Sequence, residues 1–143
     1  MIIRPEDWND LDLPNFTFAE CADRQGHGLD ASIPFLQLLQ TLRTELGAPI
    51  IISSLYRSPL HSIEAAKDRP GAHSYAGAHS YGCAVDIVCH TVTCHRLLAI
   101  LDGRFSGIGI SQHGPMSSRF LHLDSIEPGK IEHIHRPSVW SYG

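Results

Sequence analysis

The segment His79-Ser80-Tyr81-Gly82-Cys83-Ala84-Val85-Asp86-Ile87 sets a histidine seven residues ahead of an aspartate, with mostly small residues between them. Asp86 lies inside an apolar run, Cys83 to Cys89, that has the composition of a buried strand. A lone carboxylate in such a setting is very costly, so Asp86 needs a partner. A divalent metal is one such partner, and a nearby imidazole is a natural second ligand. A second strand-like run, Phe120-Leu121-His122-Leu123-Asp124, offers a third.

Strand geometry makes this specific. Side chains two apart share a face, so Phe120, His122 and Asp124 point one way while Leu121 and Leu123 point the other. Ala84, Asp86 and Val88 likewise share a face. If the two strands are neighbours, Asp86 and His122 converge on one ion and His79 reaches it from the preceding loop. Two nitrogens and one carboxylate oxygen suit Zn2+, and three protein ligands leave a fourth position open for water, the arrangement of a catalytic site. Zinc there lowers the pKa of water and polarises a carbonyl. Asp124, about 7 Å beyond His122 along the strand, is expected to act as a base or to hold His122 in place, the plain alternative being a surface carboxylate. His73 is a rival to His79. Glu132-His133-Ile134-His135 is a rival to His122, but the flanking Pro128-Gly129 and Arg136-Pro137 place it in a loop.

The chain has 143 residues, 43% hydrophobic and 18% charged, which predicts one globular domain over residues 1–143 with a core of ordinary size. Net charge is −4 and no basic run occurs, which argues against nucleic acid or an anionic membrane as partner. No apolar run is long enough to span a bilayer. The opening Met1-Ile2-Ile3-Arg4-Pro5-Glu6-Asp7-Trp8 lacks the apolar segment of a secretory signal, so the expected location as synthesised is cytoplasmic, with exit by lysis or another route. Cys21, Cys83, Cys89 and Cys94 form no Cys-x-x-Cys pair, which argues against a structural zinc site of the finger type.

Along the chain, Thr17 with Glu20 predicts a short capped helix. Ser32 and Pro34 open a longer one in which Ile33, Leu36, Leu39, Leu42 and Leu46 recur at helical spacing until Gly47. Pro49 to Ser54 reads as a buried strand. Arg57 follows its exit, where a scaffold displays functional side chains and where a guanidinium can clamp a carboxylate; a structural ion pair is the alternative. A short helix is expected over His61 to Lys67 and a loop over Asp68 to Gly77. Thr93 is a candidate cap for a helix over Cys94 to Leu101, ended by Gly103. Phe105 to Ile110 reads as a strand whose glycines admit close backbone approach, and Phe120 to Ile126 as the last strand. The aromatic tail, Arg136 to Tyr142, is expected to dock on the body. Helices flanking a cluster of strands without strict alternation indicate an α+β fold with a small antiparallel sheet.

His79-x-x-Gly82-x-Ala84-x-Asp86, followed by Phe120-Leu121-His122-Leu123-Asp124, resembles the zinc D-Ala-D-Ala carboxypeptidase family of metallopeptidases, which includes peptidoglycan peptidases and phage endolysins and shares the hedgehog-type zinc fold. Phe16-Thr17-x-x-Glu20, Ser54-x-Tyr56-Arg57-Ser58-Pro59, Gly107-Ile108-Gly109 and Arg136-Pro137-x-x-Trp140-Ser141-Tyr142 fit it in the same order. The resemblance implies His79, Asp86 and His122 as zinc ligands, Arg57 as a substrate contact, and a peptidoglycan peptide as substrate. The chain departs from the family pattern in three places. Gly77 stands where serine is usual, His61 or Ser62 replaces the asparagine after Tyr-Arg-Ser-Pro, and Arg119 occupies the glutamate position of a Glu-x-x-His motif.

Two other functions compete with a peptidase. A non-catalytic zinc or wall-binding module of the same fold is consistent with Gly77 and the missing glutamate. A cysteine hydrolase using Cys83, Cys89 or Cys94 requires an exposed, electropositive thiol, which apolar and helical runs do not offer.

Overall fold

A computed structural model describes residues 1–67 and 76–143. The expected loop over Asp68 to Gly77 and the rival ligand His73 therefore lie largely outside the described residues, with only its end, Ala76 and Gly77, inside. The elements, in order, are α1 (Phe18–Cys21), α2 (Ile33–Leu46), β1 (Ile51–Ser54), α3 (Ser62–Ala65), β2 (Ala84–Val88), α4 (Thr91–Ile100), β3 (Gly107–Ser111), β4 (Phe120–Asp124) and β5 (Ser138–Ser141), with short 3-10 turns between some of them.

Local chemistry sets the helix boundaries. Thr17 and Glu20 form a complete capping box on α1, each side chain accepting from the other's backbone N–H. The Ser32 hydroxyl accepts from the Phe35 N–H at the start of α2, Pro34 sits in its first turn, and Gly47 ends it with a left-handed φ of 65°. Phe35, Leu36, Leu39, Leu42 and Leu46 are buried along one side of α2. Each such burial contributes roughly 1.5–3 kcal/mol, so Leu39→Ala, at a position with no exposure, would cost about 2–5 kcal/mol.

The five strands form one sheet in the order β1-β2-β4-β3-β5. The pairings β1–β2, β2–β4 and β3–β4 are antiparallel, as expected, whereas β5 pairs with β3 in parallel, so the sheet is mixed. The aromatic tail therefore docks as a fifth strand, and Phe120–Asp124 is not the last one. β1 is an edge strand rather than a buried one: Ile52 enters the core while Ile51 is 60% exposed. α4 starts at Thr91, with His90 rather than Thr93 at its N-cap position.

The sheet has two chemically distinct faces. Val85, Ile87, Leu121 and Leu123 point into the main core against Leu36, Leu39 and Leu97 from α2 and α4. The opposite face of β2 and β4 carries Asp86, His122 and Asp124, the alternation expected from strand period. No helix among the described residues is long and apolar enough to cross a membrane.

Candidate metal centre

Asp86 and His122 are directly opposite one another in the β2–β4 register. Their side chains meet, with His122 Nδ1 2.9 Å from Asp86 Oδ1. His79 is delivered from the 3-10 turn Ala78–Tyr81, which Gly82 terminates with a left-handed φ of 70°. A Cβ at Gly82 would also strike the backbone of Asp30 and Ala31, so only glycine fits this junction. The Gly82 carbonyl accepts from the Ser32 N–H, tying the turn to the start of α2. His79 Nε2 then lies 3.3 Å from Asp86 Oδ1.

Each imidazole is oriented from behind. His79 Nδ1 is 2.6 Å from the Leu55 carbonyl, which fixes Nδ1 as the protonated nitrogen and leaves Nε2 facing Asp86. His122 Nε2 is 2.8 Å from Asp124 Oδ2, leaving Nδ1 toward Asp86. A metal-ligating histidine is characteristically held in this way by a carbonyl or carboxylate on its other nitrogen. One ligand atom from each of His79, Asp86 and His122 lies within 4.8 Å of the others. Burial alone would raise the Asp86 carboxyl, but the imidazoles of His122 and His79 outweigh it and hold the group well below the usual carboxylate range. Burial alone would lower His122, yet Asp124 and Asp86 together push it upward. His79, Asp86 and His122 are the residues that would hold a divalent ion here, which would take the place of the proton shared by His122 and Asp86.

Asp124 is fully buried, which excludes the surface-carboxylate alternative. Besides His122 it receives Arg136, with Nε 2.9 Å from Oδ1 and Nη2 2.5 Å from Oδ2. Burial opposes ionisation, but Arg136 and His122 bring its carboxyl down to about 2. A carboxylate so engaged is placed to hold His122. Arg136, which the sequence reading assigned no role, lies under Trp140, 4.8 Å from the ring centroid, and Trp140 in turn packs at a tilt of 48° against the His122 ring, 5.3 Å between centroids. The glycines of β3 make this packing feasible: a Cβ at Gly107 would collide with Asp124 and Arg136, and one at Gly109 would lie 2.7 Å from the Trp140 ring. Their alternation beside a strand bearing a buried aspartate was the signal that a cation and a ring come close there.

A cleft of about 330 Å³ opens over the three ligands and is lined by Arg57, Lys67, Phe120, Arg136, Trp140 and Tyr142 among others. Arg57, stitched to the histidine turn by its N–H to the His79 carbonyl and by Ser80 Oγ to its own carbonyl, therefore faces the centre. It also pairs with Glu64, Nε to Oε1 3.0 Å, the ion pair named above as the alternative. Glu132 to His135 form a turn outside the three-ligand group, and His133 Nε2 instead lies 2.8 Å from the Ala76 carbonyl. The cysteines are unsuited to nucleophilic work: burial pushes Cys21 and Cys89 up to about 12 and raises Cys83 and Cys94.

A search among curated proteins returns no match. A family model described as Peptidase M15 matches residues 14–124, a span that runs from just ahead of the capping box on α1 through Arg57, His79 and Asp86 to His122 and Asp124. With more than half of the chain covered and the α+β fold in agreement, the chain belongs to the M15 family of metallopeptidases.

Proposed function

We propose that this protein is a zinc-dependent peptidase that hydrolyses peptidoglycan peptides at bonds involving D-amino acids, as a D-Ala-D-Ala carboxypeptidase or an endolysin-type endopeptidase. The observation that carries the reading is the convergence of His79 Nε2, His122 Nδ1 and an Asp86 oxygen at the floor of a cleft that also presents Arg57. Three protein ligands of this type match a catalytic zinc site with an open position. When bound, zinc supplies Lewis acidity toward the scissile carbonyl and a water acidic enough to ionise near neutral pH.

The chain's own residues supply the rest. Leu55 and Asp124 fix the two imidazole tautomers. Arg57 offers a guanidinium to a substrate carboxylate. Trp140 and Tyr142 form an aromatic wall of the cleft. In this reading Asp124 accepts a hydrogen bond from the His122 Nε2–H and holds the ring in place, and Arg136 in turn holds the carboxylate.

The test is mass spectrometry of purified peptidoglycan incubated with the protein, with and without a chelator. New fragments that vanish with chelator and return with zinc are expected, and their masses identify the bond. Intact peptidoglycan after incubation with protein shown to hold zinc would overturn the reading in favour of a wall-binding module.

A further inference from the structure

Beside the metal centre, one acidic side chain serves two cations. Glu64 is 1% exposed. Its Oε1 lies 3.0 Å from Arg57 Nε, both its oxygens accept from Lys67 Nζ at 3.0 and 3.1 Å, and Oε2 also accepts from the Gly77 N–H at 2.8 Å. Burial would raise this carboxyl, but the Gly77 amide and Lys67 outweigh it and keep it ionised. One negative charge thus faces two positive ones, and both cations line the cleft that holds His79, Asp86 and His122. The Lys67 side chain remains 40% exposed, and Arg57 Nε makes no hydrogen bond among the described residues despite its burial. Lys67 therefore presents to the cleft an ammonium that Glu64 anchors without enclosing. The ion pair is more than a fold staple, because a staple has no need to present its cations to a cavity.

Gly77 gives Lys67 its place. A Cβ at this position would lie 2.6 Å from Lys67 Nζ, so any side chain here would push the ammonium away. The obstructing atom is the end of a flexible chain, so the backbone can tolerate the change while Lys67 cannot keep its position.

We propose that Lys67 is a second carboxylate-binding residue beside Arg57, and that Glu64 is the residue positioning both. The proposal rests on the peptidase reading for its setting. The carboxylate has two sources, the α-carboxylate of a C-terminal residue or the side chain of an acidic one, and Lys67 meets either by charge-assisted hydrogen bonding.

Calorimetry on the zinc-loaded full chain tests this without turnover. The probes are N-acetyl-D-alanine, its neutral amide, and N-acetyl-D-isoglutamine, which bears only a side-chain carboxylate. Tighter binding of either acid than of the amide is expected, and which acid wins identifies the source. Lys67→Met should reduce that acid-over-amide preference roughly tenfold, the scale of one lost charge-assisted bond, and Lys67→Arg should restore most of it. Gly77→Ser should reproduce the Lys67→Met effect with lysine still present, and Glu64→Gln should weaken the preference further because it loosens both cations. Equal binding of acid and amide, or an unchanged preference in Lys67→Met and Gly77→Ser, would overturn the proposal. Preferential acid binding by a protein that cuts no peptide would sustain it and sink the peptidase reading. Equal cleavage of acid and amide peptides would do the reverse.

Discussion

Gly107 and Asp124 are register partners on β3 and β4, and the space that a Cβ at Gly107 would occupy is filled by the Asp124 carboxylate and the Arg136 guanidinium. Gly107→Ala forces apart an ion pair whose carboxylate is fully buried, where overpacking costs about 1–3 kcal/mol. It also disturbs the carboxylate that orients His122. Lowered urea midpoint together with roughly 10–100-fold weaker zinc binding is expected, since loss of such supporting contacts has that effect on metal sites. A midpoint shift without any change in zinc affinity would separate Asp124 from the metal centre.

The ligand assignment predicts a sharp pattern in metal content. His79→Ala, Asp86→Ala and His122→Ala each remove one of three converging donors and should abolish stoichiometric zinc binding measured by mass spectrometry or atomic absorption. His135→Ala, at an exposed position outside the group, should retain it. Zinc retained in His122→Ala and lost in His135→Ala would reassign the third ligand.

Asp124→Asn distinguishes a holding role from a base. Asparagine keeps the shape but leaves Arg136 without its counter-charge at a position with 10% side-chain exposure. Breaking a buried pair on one side costs about 3–5 kcal/mol. Loss of stability and of zinc affinity together is expected from denaturation and metal titration. A variant of unchanged stability and zinc affinity that loses only turnover would make Asp124 the base.

Much of this was legible in the sequence because it is local. Capping by Thr17 and Ser32, the apolar spacing of α2, and the alternation of Asp86, His122 and Asp124 with core residues all follow from helix and strand periods. What stayed hidden depends on distant segments meeting. Arg136 and Trp140 reach the centre only because β5 joins β3 in parallel, and no periodicity in a four-residue strand specifies its neighbour. Ile51 sits on an edge for the same reason: its apolar run resembles a central strand, and strand order decides otherwise. Glu64 reads as an ordinary helical acid until Gly77 and Arg57 close around it.

Trp140 gives a prediction about the tail. Its ring packs against His122 and Arg136 in the room left by Gly109. Trp140→Ala removes the ring–ring contact and the cation–π contact, each worth roughly 0.5–1.5 kcal/mol, and should lower the melting temperature and weaken zinc binding, whereas Trp140→Phe should preserve most of both. Gly109→Ala should resemble Trp140→Ala, because its Cβ expels the same ring. Divergence of those two variants in melting temperature or zinc affinity would place the tail strand's contribution elsewhere.

Glu64 supplies a pH signature. Its folded carboxyl lies below the ordinary value of 4.5, so its contribution to stability is present above that pH and is lost as pH falls through the lower folded value. The stability difference between the wild type and Glu64→Gln, measured by urea unfolding, should therefore be constant from neutral pH down to about 5 and shrink steadily below 4.5, because protonation makes the two proteins electrically equivalent. Added salt should reduce the difference only modestly, since the carboxylate is buried and its pairs are poorly screened. A difference that persists unchanged to pH 2 would mean that the charge on Glu64 does not hold Arg57 and Lys67, and the two cations would then owe their positions to packing alone.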